Sequence, residues 1–193
     1  MSRPYEAFLG DLDARWAGPR LELRVVGSTA LFLQTPYNRG TKDSDVLQVG
    51  EIDAHAAALE VLGGKGSPLH VKHAVYLDLV GRGLLFMSRE AVWHRAELRL
   101  AHFDVVVLDV VDVVVSKLIR FHSDDRADID AMVTGGHVPH ERFLAQFLGA
   151  MDAFVYDGRS DRLPGIIYNL HRVERDSFGL PETRIRVPDD ADR

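Results

Sequence analysis

Apolar positions along this chain follow one rhythm up to about residue 110 and another beyond it. Tyr5 to Trp16 sets Phe8, Leu9 and Leu12 on one side, which predicts a short helix stopped by Gly18-Pro19. Leu21 to Val26 alternates and then turns wholly apolar, the pattern of a strand entering a core. Gly27-Ser28 ends that strand, and Thr29 to Gln34 predicts a brief helix. After a loop from Pro36 to Gly40, Asp43 to Val49 predicts a second strand and Ile52 to Leu62 a helix. Gly63 to Pro68 predicts a flexible loop. Strand-like stretches follow at Val71 to Val80, Gly83 to Ser88 and Ala101 to Leu108. From Val110 the period becomes helical, with helices predicted at Val111 to Phe121, Asp125 to Thr134, Pro139 to Phe154 and Leu163 to Ser177.

This order predicts an α/β (α+β) fold: a small mixed sheet flanked by helices, followed by a C-terminal helical bundle. The expected divisions are a core over 1–110, a helical region over 111–180 that completes a cleft, and a flexible tail over 181–193. With 193 residues, 46% of them hydrophobic, the chain can bury a sizeable core. It has no cysteine, so disulfides and thiolate metal sites are excluded. Its nine histidines show no ligand spacing, which argues against zinc. The first residues lack the basic-then-apolar pattern of a signal peptide. The longest apolar run, Val105 to Val115, is interrupted by Asp109 and Asp112 and is too short to span a bilayer. A cytoplasmic protein with no membrane partner is therefore expected. The net charge of −6 counts against a broad nucleic-acid-binding face, although arginines spread through the C-terminal half leave room for a local basic groove.

Two short segments carry candidate chemistry. Gly27-Ser28-Thr29-Ala30 lies where a strand passes into a helix; there a glycine lets backbone N–H groups approach a phosphate, and Ser28 can add its hydroxyl. The plainer alternative is a turn glycine and a helix cap. Asp43-Ser44-Asp45 opens a strand, and residues two apart project from one face. Paired carboxylates repel unless a cation lies between them, and a hard ion such as Mg²⁺ prefers oxygen ligands. The plainer alternative is a wet strand edge. Asp78 stands in the otherwise apolar Tyr76 to Val80 and is a candidate third carboxylate, with Asp104 and Asp109 as rivals. Three carboxylates holding two Mg²⁺ ions would form a two-metal phosphoryl-transfer site.

Val26-Gly27-Ser28-Thr29-Ala30-Leu31 followed by Arg39-Gly40-Thr41-Lys42-Asp43-Ser44-Asp45-Val46-Leu47 resembles the signature of the DNA-polymerase-β-like nucleotidyltransferases, and within them the AbiEii/MenT-type toxins. A second block, Val110 to Arg120 with Ser116-Lys117-Leu118, is similar to that family's Ser-Lys-Leu helix, and Asp125 to Asp130 resembles the acidic segment that follows it. The resemblance covers residues 20 to 135. Ser44 departs from it, because relatives more often carry an apolar residue between the two acids.

The resemblance implies a nucleotidyltransferase core that transfers a nucleoside monophosphate from an NTP to an acceptor. Asp43, Asp45 and Asp78 would hold metal, and Gly27, Ser28 and Lys117 the triphosphate. Asp128 would belong to the last family motif, or would only pair with a neighbouring arginine. Arg39 would hold a phosphate or fix its loop. Thr41 matches a hydroxyl position near the metal site of the toxin relatives, where inactivating modification can occur. The implied acceptor is RNA, in particular tRNA, and the implied partner is a cognate antitoxin. Two alternatives stand beside this: a protein or small-molecule acceptor such as an aminoglycoside, and a catalytically silent, antitoxin-like binding module.

Overall fold

Strand Leu21–Val25 and most of strand Phe103–Leu108 alternate buried with more exposed side chains, as strands with one face on a core do. In the computed structural model, which describes residues 4–37, 39–40 and 42–187, the chain falls into two units. One comprises the chain up to Leu84 together with Trp93–Asp109; the other comprises Leu85–Val92 and the chain from Val110 onward.

The first unit contains helix α1 (Pro4–Arg15), strand β1 (Leu21–Val25), α2 (Gly27–Gln34), β2 (Asp43–Gln48), α3 (Glu51–Gly63), α4 (Pro68–His73), β3 (Tyr76–Gly81), β4 (Trp93–Arg95) and β5 (Phe103–Leu108). Its five strands form one sheet in the order β3-β2-β1-β5-β4. Strand β1 runs parallel to β5 and antiparallel to β2, β2 runs parallel to β3, and β4 runs antiparallel to β5. The sheet is mixed and the fold is α+β. Leu21, Leu23 and Val25 of β1 and Phe103, Val105 and Val107 of β5 supply the buried strand positions. Phe8 and Leu12 of α1 meet Leu77 of β3 around Gly63, so these helices cover the sheet face that carries Leu77. Asp11 of α1 also pairs with Lys72 and His73 at the end of α4, the His73 contact at 2.7 Å.

The second unit is helical: α5 (Val110–Ser116), α6 (Ser123–Thr134), α7 (His140–Tyr156) and α8 (Leu163–Val173), with a 3₁₀ turn at Lys117–Ile119 and a π-helical turn at Glu174–Phe178. Every residue of α5 is buried, as expected for a helix that is apolar nearly all round. None of the described helices is long and apolar enough to cross a membrane.

Several elements differ from expectation. Residues 71–73 are helical rather than extended, because Ser67 caps α4, its hydroxyl accepting from the His70 N–H at 3.1 Å, with Pro68 in the first turn. The strand expected at Gly83 to Ser88 is a short 3₁₀ turn, Arg82–Leu84, and then irregular chain. Its apolar content serves a different purpose. Phe86 is fully buried edge-on to Phe147 and Phe154, with ring centroids 5.4 and 4.9 Å away. Strand β4 was not foreseen; it is only three residues long and too short to show a period. The helix expected over Val111 to Phe121 tightens at Lys117, and Phe121 ends the turn with φ 50°. The stretch from 181 to 187, expected to be loose, is anchored at Thr183. Its N–H and hydroxyl both donate to the buried Glu174 carboxylate, at 2.9 and 2.5 Å, and His140 reaches the same carboxylate at 3.0 Å.

The Asp11 contacts set a pH dependence. Hydrogen bonds from Lys72 first and His73 second hold the Asp11 carboxyl down at about 2, against an ordinary 3.8. A depressed carboxyl contributes stability above its unfolded value and loses it as pH falls through the folded one. The Tm gap between wild type and Asp11→Asn should therefore be full near neutrality and close as pH is lowered toward about 2. A gap that stays constant over acid titration contradicts the tether.

Candidate active site

Residues at the C-terminal end of β1 and the start of β2 approach each other closely, and one glycine makes this possible. The Val26 N–H donates to the Asp45 carbonyl at 2.9 Å. Gly27 then turns into α2 with φ +64°, a conformation that L side chains rarely adopt. A Cβ at Gly27 would lie 2.2 Å from the Asp45 carboxylate oxygen Oδ2, so the carboxylate rests directly on the glycine backbone. At the third residue of α2, the Thr29 hydroxyl donates to the Asp43 carbonyl at 3.1 Å. The opening of β2 is thus held from the α2 side at both of its acidic residues.

The parallel register of β2 with β3 brings in the third acid. Asp45 is paired with Asp78, and Asp43 with Tyr76. Residues in register on parallel neighbours share a face, so Asp43, Asp45 and Asp78 point the same way. One carboxylate oxygen from each lies within 4.8 Å of the other two; Asp43 and Asp78 are exposed and Asp45 is half-buried. The rivals lie elsewhere in the sheet. Asp104, on β5, receives two hydrogen bonds from Arg20 at 2.6 and 2.8 Å, and Asp109 meets His94 at 2.8 Å.

The field of the three acids reaches a neighbouring hydroxyl. Burial raises the pKa of the Tyr76 phenol, and the negative charges of Asp43, Asp78 and Asp45 raise it further. Three converging carboxylates form an all-oxygen donor set, the kind a hard divalent cation takes, and their mutual repulsion is the condition such an ion relieves. The residues present fit a divalent metal.

The opposite face of β2 carries an unexpected polar group. Ser44, between the two acids, is fully buried where an apolar side chain is more usual. The hydroxyl of Tyr5, on α1, is likewise enclosed, and burial pushes its pKa far upward. Among the described residues neither hydroxyl makes a hydrogen bond. An enclosed hydroxyl whose bond is not made costs about 1–3 kcal/mol.

The other sequence candidates are placed as follows. Ser28 is the second residue of α2, Arg39 lies exposed in the loop before β2, and Thr41 falls outside the described residues. Lys117 and Asp128 belong to the helical unit and meet there. The Lys117 ammonium lies 2.9 Å from Asp128 and 3.2 Å from Asp125, and all three side chains are buried. Arg120 adds a two-pronged contact to Asp125 at 2.9 and 2.8 Å, and Asp125 accepts the His122 N–H at 3.1 Å at the start of α6. Burial alone would raise the Asp125 carboxyl, but the Arg120 hydrogen bond and the Lys117 charge together hold it below its ordinary value. Sequence reasoning missed Asp125 as the partner of Lys117 and Arg120. Asp125 could have been found from its spacing behind those two residues.

The mixed five-stranded sheet with its helices is consistent with a nucleotidyltransferase fold. The model of the family described as "Nucleotidyltransferase of unknown function (DUF6036)" matches residues 12–162, and the chain belongs to that family. No curated protein and no solved structure matches it significantly.

Two substitutions test this geometry. Gly27→Ala should place a methyl group on the Asp45 carboxylate in an unfavourable backbone conformation, at a cost of about 1–3 kcal/mol. Divalent-cation binding should be lost with it, and calorimetric titration showing wild-type affinity would contradict the close approach. Lys117→Met leaves two buried carboxylates short of a partner and should destabilise the protein by about 3–5 kcal/mol in urea unfolding. A loss under about 1 kcal/mol, the range of exposed pairs, would mean that the charge is not structural.

Proposed function

We propose that the protein transfers a nucleoside monophosphate from an NTP to an acceptor hydroxyl in a Mg²⁺-dependent reaction, and that the acceptor is RNA. The convergence of Asp43, Asp45 and Asp78 beside Gly27 carries this reading. In the reaction the acceptor oxygen forms a bond to the α-phosphorus, the bond from that phosphorus to the bridging oxygen breaks, and pyrophosphate leaves. Asp43 and Asp45 would hold the metal together with Asp78, and bound Mg²⁺ would supply neutralisation of the phosphate charge. Gly27 lets the Asp45 carboxylate sit against the main chain where α2 begins, and Ser28, in the first turn of α2, would offer a hydroxyl to a phosphate beside the start of the helix. Asp78 is exposed at the sheet margin and is the carboxylate best placed to take the acceptor proton. Catalysis in this scheme comes mainly from positioning and charge compensation.

Lys117 enters with a changed role. Its charge is matched by two buried carboxylates, which favours fixing the start of α6 over direct contact with the triphosphate. The resemblance of Gly27-Ser28 and Asp43-Ser44-Asp45 to the AbiEii/MenT-type toxins supports tRNA as the acceptor and a cognate antitoxin as partner. The net charge of −6 gives a protein or aminoglycoside acceptor specific support as the second reading.

One experiment separates these readings. Incubation with each α-labelled NTP and Mg²⁺, with RNA, protein and aminoglycoside pools kept apart, should place label in the RNA pool. Asp45→Asn should remain folded and lose at least about a hundred-fold in rate, the scale of removing a main electrostatic contributor. Label in the protein or aminoglycoside pool would move the acceptor, and full turnover by Asp45→Asn would overturn the site.

A further inference from the structure

The glycine-rich run between α3 and α4, which composition marks as flexible, is ordered by its own contacts. Gly64 pairs in parallel with Leu77 of β3. Strand β3 ends the sheet with β2 on its inner side, so this bridge occupies its outer edge. The Ser67 N–H donates to the Gly64 carbonyl at 3.1 Å, and the Gly66 N–H donates to His70 Nδ1 at 2.9 Å. Gly66 has φ +89°, a conformation that L side chains rarely adopt. The exposed Lys65 is therefore presented from a fixed turn beside the start of β3.

The Lys65 ammonium lies over the Tyr76 ring, 5.9 Å from its centroid. Tyr76 is paired with Asp43 across β2 and β3 and stands two residues before Asp78, so its ring shares the face of the acids. His70 packs against the same ring in an edge arrangement, with centroids 4.9 Å apart, and steadies it. This face carries three carboxylates, yet among the described residues Lys65 forms no ion pair; its charge rests on the ring instead. A cation is thus kept beside the acids without being neutralised by them.

Across this end of the sheet the order is the start of α2, then Asp43 and Asp45 on β2, then Tyr76 and Asp78 on β3, then Lys65. A triphosphate seated at Gly27 and Ser28 would lie on the β1 side of the acids. Lys65 lies on the opposite side, and neighbouring strands are about 4.8 Å apart. An anion that meets Lys65 therefore belongs to the other substrate, on the side of Asp78. Backbone phosphates of RNA are such anions, whereas an aminoglycoside is itself a polycation and would be repelled. We propose that Lys65, held by the Tyr76 ring, contacts a backbone phosphate of the acceptor RNA beside the hydroxyl that reacts, and so helps to select the acceptor. The proposal rests on the RNA-acceptor reading given above.

The test uses the full chain and a fluorescein-labelled RNA hairpin with an unpaired 3′ end, in Mg²⁺, with affinity read by anisotropy across a salt series. Lys65→Ala should weaken binding about three- to five-fold, the upper range for an exposed charge pair. It should also lower the slope of log affinity against log salt by about 0.7, the loss of one phosphate contact to a single strand. Lys65→Arg should restore both affinity and slope. Tyr76→Leu should reproduce the Lys65→Ala loss, and the double variant should lose no more, since both break one contact. Should Tyr76→Leu fail to fold, the two Lys65 variants carry the comparison. Calorimetry with MgATP separates the two sources of phosphate: lowered nucleotide affinity with RNA affinity intact would put Lys65 on the triphosphate and overturn the proposal. Wild-type RNA affinity and salt slope in Lys65→Ala would overturn it alone, even if label still reaches RNA. A wild-type chain that binds no RNA would overturn this proposal and the RNA acceptor together. Lys65-dependent RNA binding without any transfer of label would overturn the reaction and leave the contact standing.

Discussion

Crowding of negative charge where β2 meets β3 is the constraint around which the sheet unit is arranged. The parallel register sets Asp78 beside Asp45, and the turn at Gly27 presses the Asp45 carboxylate against main chain. Like charges this close oppose folding, and solvent screens them only in part because Asp45 is half-buried. The surrounding contacts hold the arrangement in place. Backbone and hydroxyl donors from Val26 and Thr29 secure β2.

The helical unit meets a related difficulty with the opposite solution. Three of its buried acids are matched: Asp125 and Asp128 by Lys117 with Arg120, and Glu174 by Thr183 with His140. Such networks contribute little net stability compared with an apolar core, yet they tolerate no missing member. They define where α6 begins and where the chain after α8 folds back. Asp43, Asp45 and Asp78 converge on one another, whereas Asp125 and Asp128 converge on cations the chain itself supplies.

Much of the arrangement was legible in the order of residues. Val25-Val26-Gly27 followed by Asp43-Ser44-Asp45 pointed to a turn facing an acidic strand, because period-two spacing and the demands on a glycine are local properties. The helical second half was equally plain from its period. Local signals misled where tertiary packing set the outcome. Val71 reads as strand by its branched side chain, but the Ser67 cap and Pro68 start a helix there. Phe86 sits in a strand-like run, yet its ring is claimed by Phe147 and Phe154.

The sequence by itself determined the types of element, the glycine turn, the paired acids of β2 and the membership of a nucleotidyltransferase family, since these depend on neighbouring residues and their spacing. Only the tertiary structure decided which distant acid joins Asp43 and Asp45, because β2 and β3 are separated by two helices and become neighbours only when the sheet assembles. It also decided that Lys117 is enclosed by two carboxylates. Those pairings join residues brought together by packing, and no spacing along the chain encodes them.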